Sequence, residues 1–113
     1  METKIDFAKY FTKEEAKRVY TACINIFNHE NAWLFKYEIF TLGEKEKKLL
    51  DALWEIHDCL LSEEFANYRE YKDVLFDKEQ YGLIIKQFAK YINSKWVRER
   101  DKGIYARMQE VVK

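Results

Sequence analysis

The sequence predicts an all-α fold, a single compact bundle of five or six short-to-medium helices. Three observations predict it. Pro is absent and Gly occurs three times in 113 residues, too little punctuation for the many tight turns of a β-rich fold. Capping-box patterns recur at Thr12 to Glu15, Thr41 to Glu44 and Asp77 to Gln80. After these, apolar residues return every three or four positions, the spacing of one buried helical stripe.

Phe7, Tyr10 and Phe11 precede the first box and read as an arm, residues 1–11, that packs back on the bundle. The first long helix starts after Thr12, carries Ala16, Val19, Tyr20, Cys23, Ile24 and Phe27, and ends near His29. Residues 31–42 are ambiguous. Trp33, Phe35, Tyr37 and Ile39 alternate as in a strand, while Trp33, Tyr37 and Phe40 share a helical face. A lone strand would lack a partner, so a short helix from Asn31 is the expectation.

The next helix is expected from the Thr41 box to about Leu61, with Leu49, Leu50, Leu53, Trp54, Ile56, His57, Leu60 and Leu61 as its stripe. Ser62-Glu63-Glu64 reads as another helix start, with Phe65, Tyr68, Tyr71 or Lys72, and Leu75 on one side. The Asp77 box opens a helix with Tyr81, Ile84, Ile85, Phe88, Ile92 and Trp96 along one stripe, interrupted at Gly103. Ile104 to Val112 then reads as a short terminal helix that frays, within 104–113. Residues 1–113 read as one domain, without repeat, linker or low-complexity segment.

Composition narrows the function. Twenty basic against twenty acidic residues leave no net charge. No apolar run approaches the roughly 20 residues that span a bilayer, and residues 1–6 lack a signal layout, so the expected location is cytoplasmic, away from membranes. Cys23 and Cys59 make no disulfide framework and read as buried thiols. Lys outnumbers Arg fifteen to five, an AT-rich coding bias of the kind found in some bacteria, phages and mobile elements.

Catalytic and metal motifs are thin. His57 and Cys59 lie two apart, so on a helix they point roughly 200° away from each other. Neither His ends a Glu-x-x-His pattern, and no His-Glu-x-x-His exists. Three isolated glycines build no phosphate loop. Glu14-Glu15 and Glu63-Glu64 sit where a helix dipole favours them. Only Cys23 meeting His57 across helices would revive a nucleophile. The expectation is therefore a protein that is not an enzyme, with no cofactor and no metal.

Binding is the remaining class. Tyr68, Tyr71, Tyr91 and Tyr105 do not all fit on core stripes, Phe76 and Trp96 sit near helix ends, and surface aromatics are common anchors of protein interfaces, so Tyr68, Tyr71, Tyr91, Trp96 and Tyr105 are the candidate protein-binding residues. The leading expectation is a small protein–protein interaction module, an accessory or inhibitor protein. Charge supplies the alternative. Residues 86–113 carry eight cations against three carboxylates, a net +5, and residues 57–84 carry three against seven, a net −4. Lys86, Lys90, Lys95, Arg98, Arg100, Lys102 and Arg107 would then contact nucleic-acid phosphates. A helix-turn-helix with Gly43 in the turn is weaker, because the following helix exposes mixed charges and no Arg, Asn or Gln to read bases. Self-association through the aromatic surface is compatible with either reading.

Overall fold

A computed structural model describes residues 4–31 and 43–112. Among these the chain is all-α. A four-residue helix α1 (Phe7–Tyr10) is followed by α2 (Lys13–Glu30), α3 (Glu44–Asp58), α4 (Lys78–Ile92) and α5 (Glu99–Val111). A 3-10 turn spans Tyr71–Asp73, and two short strands, β1 (Ile5–Asp6) and β2 (Leu75–Phe76), pair antiparallel with Ile5 opposite Phe76. The segment 31–42 falls almost wholly outside the described residues; within it Asn31 is the C-cap of α2.

Helix α4 is the hub, packing against α2, α3 and α5. Its stripe of Tyr81, Ile84 and Phe88 is fully buried. Facing it are Val19, Cys23 and Phe27 of α2, Leu49, Leu53 and Ile56 of α3, and Ile104 and Met108 of α5. Two polar groups in this interior are satisfied. Tyr81 Oη donates to the Met108 carbonyl at 2.8 Å, and Gln87 Nε2 donates to the Cys23 carbonyl at 3.3 Å and to Glu30 at 3.1 Å.

The arm packs back as expected and belongs to the core. Phe7 and Phe11 are buried, with ring centroids 4.6 Å apart, and Phe7 meets Phe76 edge-on at 5.5 Å. Tyr71 Oη donates to the Phe11 carbonyl at 2.7 Å and ties the 3-10 turn to the arm.

The Thr12 and Asp77 boxes form, each with both reciprocal bonds. The Thr12 box is extended by Arg107, whose Nη1 donates to both Glu15 carboxylate oxygens at 2.9 Å. Burial alone would raise the Glu15 pKa, but the Thr12 amide and Arg107 outweigh it and hold the carboxyl below its ordinary 4.5. A depressed carboxylate contributes stability that is present above its unfolded value and lost as pH falls through the folded one. Glu15→Gln is therefore expected to cost about 0.5–1 kcal/mol at neutral pH, since the bridge is partly solvated, and close to nothing in acid. Urea denaturation of both proteins at neutral and acid pH measures this; an equal deficit at both would contradict it.

Three elements differ from expectation. Helix α3 takes Gly43 as its N-cap, with no side-chain cap bond, and Glu44 is its first residue; the expected box at Thr41 lies outside the described residues. Glu46 leans back over Gly43, where an added Cβ would sit 2.5 Å from Oε2. The helix also ends at Asp58 rather than Leu61, and Trp54, placed on its buried stripe, is 49% exposed.

No helix forms after Ser62. Its hydroxyl donates to Glu64 at 2.9 Å instead of accepting from a backbone amide, and the chain runs through turns to the 3-10 turn and β2. Phe65 and Leu75, assigned to one helical face, are exposed.

Finally, the chain breaks at 93–98 rather than at Gly103. Asn93 Nδ2 donates to the Ala89 carbonyl at 2.9 Å, and the Ser94 amide and Ser94 Oγ both donate to the Tyr91 carbonyl, at 2.9 and 2.6 Å, a tightened turn that replaces the next α-helical bond of α4. Gly103 lies inside α5 on its exposed side, where its cost relative to Ala is about 1 kcal/mol.

Candidate functional site

The break at 93–98 borders a concavity. It is an open groove of about 800 Å³ between the solvent side of α2 and the start of α5. Helix α2 contributes Glu14, Lys17, Arg18, Thr21, Ala22, Asn25, Ile26 and His29, which recur at three- and four-residue spacing along one face. The opposite wall is Tyr91, Trp96, Arg98, Arg100 and Asp101.

The floor is a polar lock. Asp101, buried in the first turn of α5, forms an ion pair with Arg18 across the groove. Tyr91 Oη donates to the second Asp101 oxygen at 2.5 Å and accepts the Arg98 amide at 3.2 Å. This lock fixes the 93–98 segment against α2. Burial, followed by the nearby Arg100, pushes the Arg18 guanidinium below its ordinary value.

The rim carries Trp96, 56% exposed. The His29 ring meets it edge-on with centroids 5.9 Å apart, and Lys95 Nζ lies 5.5 Å from its ring centroid. Lys17, Arg98 and Arg100 line the groove with no carboxylate at ion-pair distance among the described residues. Once Arg18 and Asp101 cancel, these three cations face one carboxylate, Glu14. The groove is therefore electropositive in a molecule of zero net charge.

The other aromatic candidates separate from it. Tyr71 is bound to the arm, and Tyr105 is half-buried against Phe88, with centroids 6.3 Å apart. Tyr68 is half-buried in the turns after α3. Only Tyr91 and Trp96 of the five enter the groove.

The basic candidates scatter as well. Lys90 pairs with Glu30 at 2.7 Å, Lys102 with Glu99 at 3.1 Å and Arg107 with Glu15 at 2.9 Å. Lys86 borders a smaller groove of about 240 Å³ between α2, α3 and α4. What stays together is Lys95, Arg98 and Arg100, joined by Lys17 and Arg18, which charge counting along residues 86–113 did not include.

Among the described residues, the side chains weighed for catalysis lie apart. Glu14 and His29 are fifteen residues apart on one helix, about 22 Å at about 1.5 Å per residue. Cys23 is fully buried and its thiol faces the Ile84 carbonyl at 3.9 Å, whereas His57 packs against Trp54 and Tyr20 and borders Asp58 at 3.4 Å. No hydrogen bond joins Cys23 to His57. Burial pushes the Cys59 thiol up to about 11 and the Cys23 thiol up further, away from the nucleophilic thiolate. Among the described residues no group of three His, Cys, Asp or Glu side chains gathers in metal-binding geometry, and no helix is long and apolar enough to cross a membrane.

No family model, curated protein or solved structure matches the chain.

Proposed function

We propose that this chain is a non-catalytic binding module that docks a protein partner in the groove between α2 and α5, acting as a small accessory or inhibitor protein. The observation that carries this reading is Trp96. It is a large ring, more than half exposed, held by His29 and Lys95 at the edge of a preformed concavity. Trp and Arg are the residue types that most often anchor protein interfaces, and here Trp96 sits beside Arg98 and Arg100. The locked floor favours docking, because a preorganised surface loses less conformational entropy on binding.

The nucleic-acid reading has less support. A phosphate track needs a run of free cations, and three of the seven proposed are already in ion pairs. Zero net charge weakens long-range attraction to a polyanion.

Affinity capture from a lysate of the source organism, with and without nuclease, separates the two. A protein companion is expected to survive nuclease. Trp96→Ala is expected to weaken its binding by about 2 kcal/mol or more, about thirtyfold, with thermal stability unchanged because the ring is exposed. Companions that vanish with nuclease would contradict the proposal.

A further inference from the structure

We infer that the occupant of the groove is an acidic polypeptide segment with one aromatic or aliphatic side chain that packs on Trp96. The inference rests on reading the groove as a protein-docking surface and adds the chemistry of what docks there.

Charge complementarity carries it. Lys17, Arg98 and Arg100 approach the groove from two helices, and none has a carboxylate at ion-pair distance among the described residues. Elsewhere the same chain places carboxylates against its cations, at Lys90, Lys102, Arg107 and Arg69. Leaving three cations uncompensated around a concavity selects against basic partners and steers acidic ones.

The mixed lining favours an occupant with both charged and apolar groups over a mainly apolar one. Small-molecule pockets are lined chiefly by apolar and aromatic side chains. Here the apolar contributions are Ala22, Ile26 and the two rings Tyr91 and Trp96, with charged and amide groups around them. Arg98 and Arg100 offer planar forks that match carboxylates in a bidentate manner. The cations form a compact cluster beside a single exposed ring, so a short acidic stretch matches them better than an extended phosphate backbone does.

The test is selection of a displayed random peptide library on the immobilised full chain at low ionic strength. Sequences rich in Asp and Glu around one aromatic or aliphatic residue are expected. A synthetic copy of the winner should lose about tenfold or more in affinity on Arg98→Ala/Arg100→Ala, and similarly on added salt. Both arginines are exposed, so circular dichroism should show an unchanged fold. Enrichment of neutral peptides that still depend on Trp96 would overturn the acidic occupant and leave the groove reading standing. Peptides indifferent to Trp96→Ala would overturn the groove reading itself. Failure to enrich any peptide, or displacement of the winner by a single-stranded oligonucleotide at lower concentration, would overturn the inference.

Discussion

Replacing Asp101 with Ala is expected to destabilise the protein by about 3 kcal/mol and to loosen the groove at the same time. Asp101 is 5% exposed and holds two partners, Arg18 by charge and Tyr91 Oη at 2.5 Å. Removing it leaves a guanidinium with its counter-ion gone and a phenol without an acceptor. Breaking a buried pair from one side costs about 3–5 kcal/mol. Arg18 retains about a quarter of its exposure, so water compensates part of the loss and the lower end applies. Removing both charges avoids the orphaned guanidinium and leaves only the Tyr91 phenol without its acceptor. Arg18→Met/Asp101→Leu is expected to recover most of the stability in urea denaturation. Asp101→Ala within about 0.5 kcal/mol of the parent would show that the lock contributes little.

Phe7→Ala is expected to cost about 3–5 kcal/mol, the usual penalty for emptying a fully buried Phe site. Residues this close to an N-terminus commonly fray. Here the ring is enclosed by Phe11, Phe76 and Tyr81, with centroids 4.6, 5.5 and 6.3 Å away. The β1–β2 ladder and the Tyr71 bond to the Phe11 carbonyl hold the backbone in place. Urea denaturation followed by fluorescence and by circular dichroism should give one coincident transition at lower urea. A loss below about 1 kcal/mol would mean that the arm is dispensable.

The helices were legible where local chemistry decides them. Thr12 with Glu15 and Asp77 with Gln80 announce α2 and α4, and the stripes behind them are the core. Ser62 followed by Glu63 and Glu64 is a weaker start, with Phe65 where a capping box needs Glu or Gln, and it fails: its hydroxyl donates to Glu64 instead of accepting from an amide, and Phe76, needed in the core, is drawn into pairing with Ile5. That pairing joins positions more than seventy residues apart, which no local pattern reveals. The break at Asn93-Ser94 is made by side-chain bonding to the backbone, a weaker stop signal in a sequence than the glycine at position 103.

The site was half legible. Trp96, Arg98 and Arg100 stand out by residue type and position. Lys17, Arg18 and His29 read as an ordinary wet face of α2, and only packing of α2 beside α5 gives them a shared role. Trp54 and Phe65, both exposed, escaped notice because one was assigned to a buried stripe and the other to a helix that does not form.

These two exposed rings also define the sharpest contrast for the central claim. Amide hydrogen exchange of the full chain, alone and with its captured protein partner, compares the two surfaces directly. Slowed exchange across residues 14–29 and 91–101 is the predicted result. Protection confined to the surroundings of Trp54 and Phe65, with the groove unchanged, would contradict it.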